Sequence, residues 1–441
     1  MSLATPPQVE KLQKALHAKA KGEPEFRFYQ LYDKVYREDI LSHAYRLCRA
    51  NGGAAGVDGV SFEAIESQGL ATWLGELTQS LRERSYRTAP VRRVWIPKAN
   101  GKRRPLGIPT IRDRVVQTAA VLVLEPIFET DLQPEQYAYR AGRSALDAVR
   151  RVHELVSDGH TEVVEGDLSG YFDTIPHAEL MRSVARRISD RHLLALLKQW
   201  LVVPVEEDDG RGGWRRTTRA KDEKCGIPQG APISPLLSNL YMRRFVLGWK
   251  VLGYERRFGA RIVNYADDFV ICCRGNAAVV KEVMGSMMRR LGLEVNEDKT
   301  GIRRLPAESV DFLGYTIGRC YSAKTGRAYL GTRPSRRSMR RVRQAISAST
   351  ARRYTGAEAE VIVKRLNRLL VGWSNYFCLG PVSRAYRAVD FHARHRLGQW
   401  LRRKHNRRDR VRTWYPDQYL YHTLGLVCLP SRTRDLPWAK A

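Results

Sequence analysis

The chain has 441 residues, of which 76 are lysine or arginine and 46 aspartate or glutamate, a formal net charge of +30. It is long enough to bury a sizeable core in roughly two to four modules, and no apolar run approaches the roughly 18 residues of a membrane-spanning helix. Seven cysteines, at 48, 225, 272, 273, 320, 378 and 428, form an odd set without CxxC spacing, which argues against a disulfide framework and a structural zinc site. The N-terminal stretch MSLATPPQVEKLQKALHAKAKGEPEF lacks the apolar centre of a signal peptide, so an intracellular protein of a bacterial cytoplasm is expected.

In chain order, residues 1–25 are polar and expected to be mobile or weakly helical. FYQLYDKVYREDILSHAYRLCRA then repeats Leu31, Val35, Ile40 and Tyr45 at helical spacing, until the glycine-rich NGGAAGVDG breaks the pattern. From Val91 to about Ile317, short β-rich runs such as VRRVWIP, TEVVEGDLS, RIVNYADDFVICC and VDFLGYTIG alternate with helical stretches. That is α+β organisation, a central sheet carrying helices. Residues 115–129, VVQTAAVLVLEPIFE, read as a core helix because Gln117, Thr118 and Glu125 interrupt them, and EEDDGRGGW, residues 206–214, reads as an exposed loop. GIPQGAPISPLL joins a glycine-rich loop to a helix start, with Ser234 as the expected N-cap and Pro235 at the first helical position. Beyond Ile317 strands thin out. RPSRRSMRRVRQAISAST and AEVIVKRLNRLLVGWSNYF read as helices, the second with Leu366, Leu369, Leu370, Trp373, Tyr376 and Phe377 on one stripe.

The charge is unevenly placed. Residues 319–441 hold 28 basic and 6 acidic residues, so most of the excess lies in the last quarter of the chain. Folding does not require such an excess, whereas a polyanionic partner does, since each neutralised phosphate releases a counterion. The run from Arg402 to Arg412 carries seven basic residues and one acid, beside Trp400, Trp414 and Tyr415. Arg402, Arg403, Lys404, Arg407, Arg408 and Arg410 are its candidate nucleic-acid contacts. A membrane is not an expected partner.

Two adjacent aspartates, Asp267 and Asp268, stand in NYADDFVICC at the turn of an apolar hairpin, with Ile262 and Val263 leading in and Phe269 to Cys273 leading out. A solvated Asp-Asp turn would account for that by itself. In EVVEGDLSGYFDTIP, however, a second apolar strand ends at Asp167, leaving another carboxylate at a strand end. Gathered carboxylates repel and raise one another's pKa unless a cation lies between them. Two Mg²⁺ ions meet that need with oxygen ligands, and metals about 4 Å apart can activate a 3′-hydroxyl and stabilise a leaving pyrophosphate. Nucleotidyl transfer is therefore the chemistry these residues suggest.

The ordered series DLSGYFD, GIPQGAPISPLLSNLY, YADD, GLEVNEDKT and FLGY resembles the successive palm motifs of a reverse transcriptase, and most closely those of the reverse transcriptase and maturase proteins encoded by group II introns. The resemblance covers roughly residues 25–441. It implies a right-hand polymerase fold, fingers and palm around an antiparallel sheet, followed by an α-helical thumb or maturase domain and a basic tail. The expected division is an N-terminal extension over 1–60, fingers and palm over 61–318, thumb and maturase domain over 319–398, and a DNA- or RNA-binding segment over 399–441.

The resemblance also assigns roles. Asp167, Asp267 and Asp268 would be the catalytic metal ligands, with Tyr265 and Ala266 completing the family's tetrapeptide. Lys98 and Arg104, in VWIPKANGKRRPLGIP, would grip the triphosphate of the incoming nucleotide. Phe172 would wall off a 2′-hydroxyl, Gln229 would face nucleotide and template, and Lys299 would help protonate the leaving pyrophosphate. The flanking glycines of Gln229 permit close backbone approach. The family's usual GFRPGRS stands here as AYRAGRS, residues 138–144, so the local loop can differ. The stripe LNRLLVGWSNYF resembles the maturase domain, and no clusters of the endonuclease type found in many relatives follow it, so no intrinsic second-strand cleavage is expected.

Expected partners are group II intron RNA, an RNA template with its DNA primer, a DNA target and deoxynucleoside triphosphates; the oligomeric state is unassigned. The expected function is an RNA-directed DNA polymerase that also assists intron splicing and retrohoming. Two alternatives stand beside it: a domesticated reverse transcriptase of defence or repair without an intron partner, and a splicing-only maturase with an idle polymerase site.

Overall fold

A computed structural model describes residues 3–97, 103–210, 213–322, 324–406 and 415–435. The polar N-terminal stretch is helical, as α1 (Pro7–Gly22), because Val9, Leu16 and Ala20 recur on one stripe that a neighbouring helix can cover. The next helical pattern is split by a turn into α2 (Tyr32–Val35) and α3 (Glu38–Asn51), and α4 (Phe62–Arg82) follows the glycine-rich break. A hairpin of β1 (Val91–Pro97) and β2 (Arg103–Ile108) leads into α5 (Ile111–Phe128), the expected core helix. Gln13 of α1 donates to the Leu122 carbonyl of α5 at 3.0 Å, so the N-terminal segment is built onto the main core.

After α6 (Ala145–Ser157), the chain forms β3 (Glu162–Gly166), α7 (Tyr171–Thr174), α8 (His177–Ala185), α9 (Arg191–Leu201), β4 (Val205–Asp208) and β5 (Trp214–Thr217). The stretch expected as a loop over 206–214 is thus a hairpin flank. Its strands gain partners from far away in sequence, since β4 pairs in parallel with β1 in a four-stranded sheet ordered β2-β1-β4-β5.

The next elements are α10 (Arg219–Asp222), α11 (Ser234–Val251), α12 (Tyr254–Arg257), β6 (Ala260–Tyr265), β7 (Asp268–Cys273), α13 (Ala277–Arg290) and β8 (Gly301–Arg304). The central sheet runs β6-β7-β3-β8, antiparallel throughout. Ser234 is not the N-cap of α11. It lies one residue inside the helix and its hydroxyl donates to the Pro228 carbonyl at 2.7 Å, which ties down the preceding loop instead.

Strand structure continues past Ile317. A three-stranded sheet of β9 (Val310–Phe312), β10 (Tyr315–Tyr321) and β11 (Ala328–Pro334) precedes α14 (Arg336–Ser349), α15 (Ala359–Tyr376) and α16 (Ser383–Lys404). Leu366, Leu370, Trp373 and Phe377 of the α15 stripe are buried, and Leu369 and Tyr376 pack partly buried against the same cluster.

The central sheet separates two cores. Val164, Ile262, Phe269 and Ile271 point into one, with α5, α11 and α13; Val163, Val263, Val270 and Cys272 point into the other, with α6, α14, α15 and α16. Burial on both faces explains why these strands read as continuous apolar runs and not as alternations. All seven cysteines are free thiols. Among the described residues no helix is long and apolar enough to cross a membrane.

Asp190 ties the N-terminal segment to α9. Its carboxylate accepts from the backbone amides of Leu31 and Tyr32 at 2.8 Å each, of His192 at 2.9 Å and of Leu193 at 3.1 Å. Burial works to raise this carboxyl, but the four amide donors outweigh it and hold the pKa below the ordinary aspartate value. Asp190→Ala removes a helix cap and strands buried donors, so it should cost about 2–4 kcal/mol in urea unfolding. Asp190→Asn should recover part of that loss; no loss in the alanine variant would reject this role.

Candidate active site

Gly166 pairs with Phe269, and a methyl at Gly166 would lie 2.2 Å from the Phe269 ring, so only glycine lets β3 and β7 close in this register. Continued by one residue, the same register brings Asp167 toward Asp268, and the two charges interact. Strand alternation puts both carboxylates on the same face as Val163 and Val270. Tyr265 and Asp268 are the last paired residues of the β6–β7 hairpin, leaving Ala266 and Asp267 as its turn.

That turn needs a left-handed residue. Ala266 supplies it at φ +57°, buried, at a cost of about 1 kcal/mol relative to an ordinary backbone. The Asn264 side-chain amide donates to the Ala266 carbonyl at 2.8 Å and supports the turn, while the Asn264 backbone bonds to Glu135 and Tyr137. Asp267 is thereby exposed at the tip.

Like charges facing across strands repel. Protein crowds the Asp268 carboxylate even though solvent reaches it, and that burial raises its pKa to about 6, with Asp267 and Asp167 adding to the rise and Lys299 opposing it. Lys299 donates to Asp167 Oδ2 at 2.9 Å. The segment that brings it is clamped to the end of β3: the Asn296 amide donates to the Asp167 carbonyl at 2.8 Å and the Asp167 amide to Thr300 Oγ1 at 3.3 Å.

Among the described residues, no group of three or more His, Cys, Asp and Glu side chains gathers tightly enough to cage a metal by itself. The donor set still suits Mg²⁺, which takes only one or two protein carboxylates and fills the remainder with water and substrate phosphate oxygens. The raised pKa of Asp268, set by burial first and by the neighbouring Asp267 and Asp167 after it, is one that a cation bound among these carboxylates would lower.

Gln229 joins two halves of the cleft. Its side-chain carbonyl accepts from Arg104 Nε at 3.1 Å and its amide donates to both oxygens of Asp173, at 3.1 and 3.0 Å. Its backbone carbonyl accepts from the Gly107 amide at 2.6 Å. The close approach allowed by Gly230, at φ +106°, is therefore to the Gly107 carbonyl of β2, not to a substrate. Phe172 is buried on α7 beside Tyr171, and its carbonyl accepts from the Ile227 amide at 2.7 Å. So Asp167, Asp267, Asp268, Lys299, Gln229, Arg104 and Phe172 belong to linked elements around one sheet end.

Lys98, Arg407, Arg408 and Arg410 lie outside the described residues. Arg402, Arg403 and Lys404 close α16; Lys404 donates to the Ala357 carbonyl at 2.9 Å. Trp400 and Tyr415, expected beside the basic run, are core residues.

Two residues were not singled out from the sequence. Asp173 lies within the quoted DLSGYFD, and its position six residues after Asp167 was the available signal. Tyr139 lies in AYRAGRS with φ +55°, an uncommon conformation for a bulky residue, between buried Ala138 and Arg140. Burial, then the nearby Asp267, raises its hydroxyl pKa. Arg140 in the same stretch is structural: its guanidinium binds Glu129 and the carbonyls of Gln133 and Gln136.

Asp268 keeps its proton up to about pH 6, whereas an unfolded aspartyl group releases it near 3.9. Its ionisation therefore costs native stability that is absent below about pH 4 and fully felt above pH 6. In the presence of a chelator, Asp268→Asn should raise the urea midpoint over the parent more at pH 7.5 than at pH 4.5. An equal difference at both pH values would show that the site carries no such repulsion.

A family model described as reverse transcriptase (RNA-dependent DNA polymerase) matches residues 96–317, and one described as group II intron, maturase-specific domain matches residues 339–420. The chain is 35% identical over 346 residues to Protein YkfC of Escherichia coli strain K12, covering 70% of this chain and 88% of that one. It is 30% identical over 293 residues to Group II intron-encoded protein LtrA of Lactococcus lactis subsp. cremoris, covering 64% and 46% respectively. It is 24% identical over 422 residues to an uncharacterized 91 kDa protein in the cob intron of Schizosaccharomyces pombe, covering 78% and 50%. The chain thus spans about half the length of the last two relatives. With the aspartates at the end of a four-stranded antiparallel sheet and both matches in register with the two halves of the fold, the chain belongs to the reverse transcriptases, among the group II intron-encoded reverse transcriptase and maturase proteins.

Proposed function

We propose that this protein is an RNA-directed DNA polymerase that copies RNA into DNA from a primer and also binds group II intron RNA to assist splicing and retrohoming. The observation that carries the polymerase reading is the Gly166–Phe269 pair, which brings the next residue, Asp167, toward Asp268, with Asp267 at the adjoining turn. Two Mg²⁺ ions held by these three carboxylates would supply Lewis-acid activation of the primer 3′-hydroxyl and charge stabilisation at the transferred phosphate.

The remaining residues act on geometry and charge. Lys299 neutralises part of the carboxylate cluster from Asp167 and would offer a departing pyrophosphate a cation or a proton. Arg104 offers a forked donor to the triphosphate once it releases Gln229 or shares it. Phe172 presents a rigid apolar wall against a 2′-hydroxyl. Asp173 fixes which end of the Gln229 amide faces the cleft, since a carboxylate accepts only from the amide nitrogen. Fingers and palm over 61–318, a thumb and maturase domain over 319–398 and a nucleic-acid-binding segment over 399–441 form the proposed division of labour. The maturase-specific match over 339–420 supports the intron RNA partner.

Primer extension on an RNA template with Mg²⁺ and deoxynucleotides should proceed and should fall at least about 1000-fold in Asp267→Ala, on the scale of removing a main electrostatic contributor; synthesis retained in that variant would reject the site. Asp173→Ala should lower kcat/KM for deoxynucleotides about tenfold, the worth of one charge-assisted hydrogen bond. Asp173→Asn should fall between, and unchanged kinetics in both would remove Asp173 from the site.

A further inference from the structure

Tyr139 stands at the catalytic end of the sheet and carries none of the roles assigned above. The chain on either side of it is fixed. Gln136 forms a parallel bridge with Asn264: the Asn264 amide donates to the Glu135 carbonyl at 2.9 Å, and the Tyr137 amide donates to the Asn264 carbonyl at 3.0 Å. The carbonyl of the buried Ala138 accepts from the Asn239 side-chain amide at 2.7 Å, and the Arg140 guanidinium donates to the Gln133 and Gln136 carbonyls at 2.7 and 2.8 Å. Between these anchors Tyr139 turns outward, at φ +55° and 50% exposed. A left-handed backbone is unfavourable for a bulky residue and persists only where its surroundings impose it, which occurs most often at functional sites.

The bridge also fixes where the side chain goes. Both chains leave it in the same direction, so three residues beyond Gln136 and Asn264 stand Tyr139 and Asp267. Electrostatics places the hydroxyl there as well. Burial first, and then the Asp267, Tyr265 and Asp268 side chains, push its pKa up, while Arg104 opposes them. The hydroxyl is therefore within reach of the catalytic carboxylates and of the arginine assigned to the triphosphate. Among the described residues no hydrogen bond reaches it. A nucleotide whose reacting phosphate lies at the aspartates and whose outer phosphates extend to Arg104 has to pass this side chain.

We propose that Tyr139 is a substrate-contacting residue of the polymerase reaction, its ring packing on the incoming deoxynucleotide and its hydroxyl donating one hydrogen bond to it. The proposal rests on the polymerase reading above and deepens it by adding a contact to the nucleotide from the loop between α5 and α6. An aromatic face accepts any base, because every base has a π-face, and a tyrosyl adds a donor at the ring edge. The contact therefore holds all four deoxynucleotides and does not choose among them.

The test uses the full chain with Mg²⁺ and an RNA template annealed to a DNA primer. It measures kcat and KM for each deoxynucleoside triphosphate and the Kd of the primed template. Tyr139→Asn removes the ring but keeps a residue that tolerates the left-handed backbone. It should raise KM about tenfold or more for all the deoxynucleotides, the scale of one lost aromatic stack. Its kcat should stay within about threefold, as expected when binding common to the ground and transition states is lost. The Kd of the primed template should stay within about twofold, which also shows that the variant is folded. Tyr139→Phe keeps the ring and should raise KM about fivefold, the worth of one net hydrogen bond. An unchanged KM in Tyr139→Asn would overturn the proposal. So would a lower kcat at unchanged KM, the mark of a residue that only shapes the aspartate turn, or a rise in Kd as large as that in KM, which would move the contact to the primer. If the parent chain extends no primer, the polymerase reading fails together with the contact; if the parent extends primers and both variants match it, the contact alone fails.

Discussion

Gly166 lies against the Phe269 ring, and the fit of that glycine to that phenyl group sets the register of β3 on β7. The meeting of Asp167 with Asp268 follows from it. A slip of one residue would turn Asp167 and Asp268 to opposite faces of the sheet, because side chains alternate with a period of two. With the register fixed, the two carboxylates stand together, the electrostatic cost rises, and the groups that relieve it acquire their positions. Lys299 reaches Asp167 because the segment from Glu294 to Thr300 is bonded to the same strand end.

The sheet can hold charged groups at its tip because it is buried elsewhere. One face packs on α5, α11 and α13, the other on α6 and the helices of the second half of the chain. Both cores end near the turn of β6 and β7, where Ala266 is still buried and Asp267 is exposed. The strained turn is supported from the side by Asn264 and from behind by residues 135 and 137. Rigid support of this kind places a reacting group within a fraction of an ångström without requiring it to be stable for its own sake.

Charge is arranged at two scales. Within the cleft, single cations, Lys299 and Arg104, answer particular acceptors. In the second half of the chain, Arg336, Arg340 and Arg343 of α14 and Arg384 and Arg387 of α16 line one hollow, and among the described residues none of the five has a carboxylate within ion-pairing distance. The first arrangement favours definite geometry; the second favours long-range attraction that weakens with salt. A reverse transcriptase, whose substrates are polyanions, has use for both.

Much of this was legible in the chain itself. The aspartates, the strands around them, the core helix over 115–129 and the α15 stripe follow from residue type and local period, and each matches a formed element. Residues 7–22 did not read as a firm helix, because Val9, Leu16 and Ala20 form a stripe only once α5 covers it. The hairpin over 205–217 was missed because its strands are stabilised by β1, more than a hundred residues earlier. Asp173 is marked in the sequence only by its place six residues after Asp167, and its contact with Gln229 exists only when that residue arrives from another loop. Composition showed that a polyanion was expected; which arginines converge, and that Trp400 and Tyr415 belong to the core and not to the basic surface, was decided by helix packing. The sequence by itself determined the chemical groups and the local periods, since these depend on neighbours along the chain. Register, the meeting of Asp167 with Asp268 and the hollow on the far helices depended on burial energies shared between distant segments, which only the tertiary structure resolves.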